Sequence, residues 1–191
     1  MQASEQGTHP TGQQRYQTIP RVLLLLTSYN PQTGAQELLL LLGAPNKRLW
    51  ANKYNGPGGH VEAHENIYAA AARECVEETG LAPAVFDPPG LTLRGVININ
   101  THVNTGQDGT GQDGQALRLG VLMFVFHGHT RQRSTQPSAE GALSWLPVAE
   151  LAHYPLVDDL YELLPRILHS DAMVYGHYTP QPGGTMKYEF S

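Results

Sequence analysis

Three glutamates, Glu74, Glu77 and Glu78, are spaced at i, i+3 and i+4 along the chain. On a helix, this spacing puts the three side chains on one face, about one turn apart. Neighbouring negative charges repel unless a cation compensates them, and carboxylate oxygens are ligands that Mg²⁺ and Mn²⁺ favour. The spacing therefore predicts a site for Mg²⁺, with Mn²⁺ as a substitute. The alternative is a solvated acidic face of a helix.

The residues around these glutamates predict the loop and helix that position them. The run 53–59 contains three glycines and a proline, so it cannot continue a regular element and is expected to form a tight loop. The alanines at 69–72 favour a helix, and Gly80 is suited to end it. Cys75 lies between the glutamates at an apolar position, so we expect a buried structural thiol.

Residues 59–81 match the signature of the Nudix hydrolases, Gly-x5-Glu-x7-Arg-Glu-U-x-Glu-Glu-x-Gly-U with U apolar. The specified positions are occupied by Gly59, Glu65, Arg73, Glu74, Cys75, Glu77, Glu78, Gly80 and Leu81. An acidic helix face would explain the charges, but it would not explain the glycines, the arginine or their register. The segment therefore resembles the Nudix motif.

The resemblance implies an α/β fold, an α/β/α sandwich with a central mixed β-sheet that carries the motif as loop, helix and loop. It also implies metal-dependent attack of water on a phosphorus atom of a nucleoside diphosphate linked to another group. By the resemblance, the metal ligands are Glu74, Glu77, Glu78 and the backbone carbonyl of Gly58. Glu77 or Glu78 could also act as the base.

Three other residues are assigned by the same resemblance. Glu65 and Arg73 are expected to be structural, Glu65 by favouring the helix dipole and Arg73 by orienting nearby carboxylates. Glu140 lies five residues before Trp145, where several relatives carry a further glutamate that serves as metal ligand or base. A glutamate in a surface loop is the alternative for Glu140.

Substrate choice is suggested by features that resemble the branch that hydrolyses oxidised purine nucleoside triphosphates. The run 55–59, Asn-Gly-Pro-Gly-Gly, resembles a segment whose asparagine contacts the purine, so Asn55 is a candidate for reading the base. Asp158 and Asp159 resemble a pair of aspartates that contacts the purine edge, and two adjacent carboxylates favour sharing one proton. Alternatively, the two aspartates only begin a helix. The ending, residues 175–190, resembles the terminal hairpin of the same branch.

The chain departs from that branch at two places. His60 replaces a lysine, and it could contact phosphate or face solvent. Leu156 and Val157 replace an aromatic-proline pair that helps to enclose the base. Another residue is then needed for base stacking. Trp50, Tyr54 and Tyr154 are available for stacking, and the sequence does not distinguish among them.

The remaining elements are expected to be mostly strands. We predict strands at 19–29, 37–43, 91–103, 116–127, 142–146, 173–178 and 185–190, and a second helix at 158–169 with Pro165 interrupting its hydrogen bonding. Residues 105–109 and 110–114 repeat Thr-Gly-Gln-Asp-Gly, which fits a flexible hairpin loop better than a calcium site. Residues 1–18 are expected to form a disordered tail, and residues 19–191 a single domain.

Composition restricts the partners. The formal net charge of −5 argues against a surface that binds a nucleic-acid polymer, so a small nucleotide is the expected ligand. The apolar runs 22–26 and 38–42 are too short to cross a bilayer, and no basic segment precedes an apolar one near the start. We therefore expect no membrane association and a cytoplasmic location. Both a monomer and a homodimer stay open.

The leading hypothesis is a Mg²⁺-dependent pyrophosphohydrolase that converts nucleoside triphosphates, such as 8-oxo-dGTP, to monophosphate and pyrophosphate. The enzyme alternative is a hydrolase of ADP-ribose, dinucleoside polyphosphates or nucleotide sugars. A nucleotide-sensing regulator without turnover is a third hypothesis. It is disfavoured because the three glutamates of the helix are present and no DNA-binding segment is visible in the sequence.

Overall fold

The fold is organised around the long strand β1 (Gln17–Tyr29), which lies inside a mixed sheet. The structure is a computed structural model that describes residues 16–46, 49–101, 119–136 and 140–191. In this part of the chain, the elements that follow β1 are β2 (Gln36–Gly43), β3 (Tyr54–Asn55), α1 (Ile67–Thr79), β4 (Thr92–Asn100), β5 (Leu119–His129), β6 (Gly141–Pro147), α2 (Leu160–Leu168), β7 (Val174–Pro180) and β8 (Met186–Phe190).

The sheet has the order β3-β2-β1-β5-β4-β7-β8, and β6 pairs with β2. The β1/β5 and β4/β7 pairs are parallel, and the other pairs are antiparallel. Strand β2 has β6 on one edge and both β1 and β3 on the other, because residues 37–39 pair with β6 and β1 at once. The predicted mixed sheet is confirmed.

The two faces of β1 bury different cores. Leu23 and Leu25 pack in the core cluster that contains the apolar face of α2, whereas Leu24 and Leu26 pack in the cluster that contains the apolar face of α1. Successive side chains of a strand point to opposite faces, so an unbroken apolar run indicates a strand buried on both sides. Each helix therefore covers one face of the sheet, which confirms the α/β/α sandwich.

The element boundaries differ from the predictions by a few residues. Strand β1 begins at Gln17, so residues 17 and 18 of the expected tail belong to the sheet. Helix α2 begins at Leu160 and continues past Pro165 to Leu168. The proline removes one backbone donor, while neighbours such as Leu163 and Ile167 stay anchored in the core.

The last two strands form the predicted terminal hairpin, because β7 and β8 pair in antiparallel orientation. The repeated Thr-Gly-Gln-Asp-Gly segments lie outside the described residues. Among the described helices, none is both long enough and apolar enough to cross a membrane.

Candidate functional site

The glycine-rich loop that precedes α1 is fixed against β1. The backbone N–H of Val22 donates to the carbonyl of Gly59 at 2.9 Å, and the N–H of Leu24 donates to the carbonyl of Pro57 at 2.8 Å. Strand β2 pairs only with the later part of β1, from Leu26 onwards. The loop therefore occupies the edge of β1 that β2 leaves open, and it lies next to the start of the motif.

Two glycines of the loop are required by close contacts. Gly58 has φ 150°, and a Cβ at this position would lie 2.2 Å from the carbonyl oxygen of Val22. A Cβ at Gly59 would lie 2.2 Å from Oε1 of Glu74. In addition, the N–H of Gly58 donates to Oε2 of Glu78 at 2.7 Å. The loop and the acidic face of α1 are thus in direct contact, which larger residues would prevent.

Helix α1 begins and ends at capping residues. The side chain of Asn66 accepts hydrogen bonds from the backbone N–H groups of Tyr68 and Ala69, and Gly80 ends the helix with φ 76°. Asn66 is an N-cap that our sequence reasoning missed, although an asparagine before an apolar helix start is a recognisable signal. Cys75 is fully buried, as predicted, and burial raises the pKa of its thiol to about 11.

Arg73 connects the carboxylates of the motif. Its guanidinium donates to Oε1 of Glu65 at 2.6 Å, to Oε1 of Glu74 at 2.8 Å and to Oε2 of Glu77 at 3.1 Å. It also donates to the backbone carbonyl of His60 at 2.9 Å. These charge-assisted contacts hold the pKa of Glu65 at about 2 and raise that of Arg73.

The position of Glu65 differs from the expected dipole role. Glu65 precedes the N-cap residue Asn66, and its carboxylate pairs with Arg73 and accepts a hydrogen bond from the N–H of Glu62 at 2.9 Å. Its main contact is therefore with a side chain of the helix and not with the helix amides. We interpret Glu65 as the residue that orients Arg73.

We expect the Arg73→Lys variant to lose about 1–3 kcal/mol of unfolding free energy, because an ammonium cannot make the forked contacts of the guanidinium. Urea unfolding followed by circular dichroism measures the loss. Arg131→Lys is the matched control, since Arg131 is 90% exposed and lies 3.7 Å from Asp87. Equal stability of the two variants would contradict this role of Arg73.

The glutamates of α1 are not gathered as a ready metal site. Within the described ranges, no group of three or more His, Cys, Asp or Glu side chains is arranged so that it could hold a metal ion. Arg73 contacts both Glu74 and Glu77, so its guanidinium compensates part of the negative charge on this face of the helix. The Glu74 side chain is 12% exposed and that of Glu77 is 58% exposed.

A cavity of about 280 Å³, which we call the acidic cavity, brings together other candidates. Its walls include Gly58, Glu78 and Glu140, so Glu140 joins the motif although it lies 62 residues after Glu78 in the chain. Carboxylate and carbonyl oxygens are the donors that hard divalent cations favour. The residues present therefore fit such a cation.

A second cavity of about 270 Å³, the apolar cavity, adjoins the first. Both cavities are lined by Arg21, Leu49, Trp50, Asn55, Gly56 and Gly58. The further walls of the apolar cavity are Val22, Leu23, Ile99, Thr101, Val121, Met123, Val157 and Asp159. Asn55 and Asp159, both candidates for reading the base, thus line one cavity. An elongated ligand could occupy the two cavities together.

The predicted aspartate pair is divided between two environments. Asp158 is exposed and forms an ion pair with Lys53 at 2.5 Å, whereas Asp159 lines the apolar cavity. The two carboxylates therefore have different partners, and the sharing of one proton stays a prediction. Asp159 is the N-cap residue of α2, without a side-chain capping bond. Burial, with a smaller contribution from the charge of Asp158, raises its pKa to about 6.

The raised pKa of Asp159 predicts a pH dependence of stability. Between the ordinary aspartate pKa of 3.8 and the folded-state pKa of about 6, the folded state binds more protons than the unfolded state. Stability from this group is therefore lost as pH rises through that window. The Asp159→Asn variant lacks this loss. We therefore expect the difference in unfolding free energy between variant and parent to shift in favour of the variant by about 1–2 kcal/mol from pH 4 to pH 7. Urea titrations at both pH values measure it, and an unchanged difference would contradict it.

Arg21, and not His60, is the cationic side chain at the two cavities. His60 is exposed and lines neither cavity, which supports its solvent-facing alternative. Arg21 lines both cavities, and our sequence reasoning missed it. The available signal was a single cation at the edge of the apolar run 22–26. Arg21 supplies a positive charge where an anionic ligand would need it.

Comparisons with known proteins agree with this geometry. Residues 20–167 match the NUDIX domain. The chain is 26% identical to the uncharacterized Nudix hydrolase YvcI of Bacillus subtilis (strain 168) over 146 residues, which cover 75% of this chain and 80% of that protein.

Solved structures show the same fold. A MutT protein from Bacillus halodurans matches with a TM-score of 0.68 at 20% identity, covering 91% of this chain and 97% of the other. The NUDIX domain of Shewanella oneidensis NrtR, solved with ADP ribose, matches with a TM-score of 0.60 at 17% identity, covering 87% and 96%. Such identities show the fold alone. The domain match over residues 20–167, most of the chain, establishes that this protein belongs to the Nudix hydrolases, enzymes that act on the phosphoric anhydrides of nucleotides and generally use divalent metals.

Proposed function

We propose that the protein is a Mg²⁺-dependent pyrophosphohydrolase of nucleoside triphosphates, with oxidised purines such as 8-oxo-dGTP as substrates and monophosphate and pyrophosphate as products. The observation that supports this most is the shared wall of the two cavities. A nucleotide with its phosphates near Glu78 and Glu140 would place its base near Asn55 and Asp159. Arg21, at the junction, would offset phosphate charge.

The metal ligands in this proposal are Glu74, Glu77, Glu78, Glu140 and the carbonyl of Gly58. When bound, Mg²⁺, or Mn²⁺ in its place, would neutralise phosphate oxygens and lower the pKa of bound water. The protein residues do the rest. Glu140, Glu77 or Glu78 would accept the proton of the attacking water, and Arg73 would keep Glu74 and Glu77 on the side of the loop.

Asn55 and Asp159 would select the base. The carboxamide of Asn55 has both donor and acceptor groups, and its Oδ1 accepts from the N–H of Gly56 at 2.9 Å, which fixes its orientation. Burial raises the pKa of Asp159 to about 6. Its carboxyl group accepts hydrogen bonds when ionised and can donate one when protonated. Such a pair can distinguish the edges of related purines by their donors and acceptors.

Product analysis tests the proposal. Purified protein with Mg²⁺ receives 8-oxo-dGTP, dGTP, ADP-ribose or a dinucleoside tetraphosphate, each separately at one low concentration. We expect 8-oxo-dGTP to give its monophosphate and pyrophosphate faster than the other compounds react. Preference for ADP-ribose or the tetraphosphate would reject the substrate while leaving the anhydride chemistry in place.

A hydrolase of ADP-ribose is the second candidate, because the similar NrtR domain was solved with ADP ribose. Dinucleoside polyphosphates and nucleotide sugars belong to the same alternative. A regulator without turnover is the third, and binding without hydrolysis under any divalent metal would favour it. The cytoplasmic location, the lack of nucleic-acid or membrane partners and the choice between monomer and homodimer stay predictions.

A further inference from the structure

We propose that the indole of Trp50 forms the stacking wall of a nucleobase site in the apolar cavity. The class of ligand is a planar heteroaromatic base attached to an anionic phosphate chain. The inference deepens the proposed function and rests on it only for the presence of a base in the substrate. It also selects one of three aromatic residues that the sequence could not separate.

The other two candidates are occupied elsewhere. Tyr54 and Tyr154 contact each other edge-to-face, with ring centroids 5.8 Å apart, and both pack against the core cluster below α2. Trp50 is instead 40% exposed and lines both cavities. Among the described residues, Trp50 is the only aromatic one that lines the apolar cavity.

The backbone at Trp50 is held in a conformation that a bulky residue rarely adopts. Its φ is 60°, in the left-handed region. The carbonyl of Trp50 accepts from the N–H of Lys53 at 3.1 Å, and this turn is tied to β2 by two hydrogen bonds of 3.0 Å between Gly43 and residues 52 and 53. Strained conformations persist where surrounding contacts enforce them, and they concentrate at ligand sites. The turn therefore holds a large apolar ring at the cavity against its local preference.

The rest of the cavity suits a flat ring with polar edges. Its walls include the aliphatic or thioether side chains of Ile99, Val121 and Met123, and its polar side chains include Asn55 and Asp159. An aromatic wall contributes affinity to any base, because every base has a π-face, whereas hydrogen bonds at the edges distinguish one base from another. Trp50 would therefore set affinity for a base, and Asn55 and Asp159 its identity.

Fluorescence tests the contact directly. The chain has two tryptophans, so Trp145→Phe leaves Trp50 as the single reporter. Trp145 is a suitable residue to replace, because it lines neither cavity. Its ring instead lies 4.7 Å from the guanidinium carbon of Arg133. In EDTA, which prevents metal-dependent turnover, the protein is titrated with 8-oxo-dGTP, dGTP, ADP-ribose and inorganic tripolyphosphate, with calorimetry in parallel. We expect saturable quenching by ligands that carry a base and none by tripolyphosphate.

Variants separate a binding role from a structural one. For Trp50→Gly we expect KM for the preferred nucleotide to rise about 5- to 100-fold, with Trp50→Phe close to the parent. Because glycine tolerates positive φ, Trp50→Gly should keep the parent's midpoint of urea unfolding. Leu49→Ala, at the neighbouring cavity position, is the matched control and should change KM less.

Two results would overturn the inference. One is binding of a nucleotide by calorimetry without any change in Trp50 fluorescence. The other is a Trp50→Gly variant with a lowered unfolding midpoint and an unchanged KM. If ADP-ribose or another nucleotide replaces 8-oxo-dGTP as the preferred substrate, the proposed substrate fails, but quenching by that nucleotide still supports the stacking wall.

Discussion

Replacing Glu78 with glutamine is expected to lower kcat by about 10³-fold while the protein stays folded, since a lost metal interaction costs several kcal/mol. Glutamine keeps an oxygen that can accept the hydrogen bond from the N–H of Gly58, which Glu78 accepts at 2.7 Å. The substitution therefore removes a charge from the acidic cavity without removing the contact that joins loop and helix. Steady-state kinetics with saturating Mg²⁺ measures the effect, and circular dichroism checks the fold.

The matched control for Glu78→Gln is Glu150→Gln. Glu150 is an exposed glutamate in the short 3₁₀ helix at Val148–His153, away from both cavities, so we expect parental kinetics. Parental activity of Glu78→Gln at saturating Mg²⁺ would remove Glu78 from the proposed mechanism. Loss of activity together with unfolding would instead assign it a structural role.

Asp159→Asn is expected to raise KM for the preferred purine nucleotide by about 10- to 100-fold, because a hydrogen bond to a charged group contributes about 1.5–3 kcal/mol. The carboxylate is half-buried in the wall of the apolar cavity, where an amide replaces an acceptor by a donor. Initial rates over a range of nucleotide concentrations give KM and kcat separately, and kcat should change less than KM.

The adjacent residue provides the matched control. Asp158→Asn breaks the ion pair with Lys53, in which the side chains are 71% and 41% exposed. Exposed ion pairs contribute about 0–1 kcal/mol, so we expect at most about a fivefold change in KM. If Asp158→Asn raised KM as much as Asp159→Asn, the two aspartates would act as one unit and the division between them would be wrong.

Much of the fold could be predicted from the spacing of residues that are close in sequence. Three kinds of residue are readable without tertiary structure: those that repeat along a helix, those that end it, and those that turn a hairpin. The helix with Gly80 at its end, the hairpin of β1 and β2 and the buried Cys75 follow from such local patterns. Helix start positions were less exact. The N-cap Asn66 was a local signal that we missed, and α2 begins at Leu160 instead of residue 158.

The candidate site was only partly readable. The resemblance to the Nudix motif assigned Glu78 and the carbonyl of Gly58 to one metal site, and the structure adds a hydrogen bond from the N–H of Gly58 to Glu78. Arg21 was missed because its importance comes from a cavity formed by distant segments, and a single arginine has no distinctive spacing. The exposure of His60 could not be predicted from the sequence either, because side chains next to a loop can point in different directions.

The sequence by itself determined the family motif, the two helices, most strands and the set of acidic and polar candidates, because each depends on residue types at short spacing. Only the tertiary structure decided which candidates lie together. Lys53 reaches Asp158 across 105 residues, and Arg73 holds the carboxylates of Glu74 and Glu77. Trp50 and Asp159 line one cavity because the turn that carries Trp50 leads into β3, and Tyr54 of β3 pairs with Leu156, just before the start of α2. Such contacts depend on how separate elements pack, which no local pattern specifies.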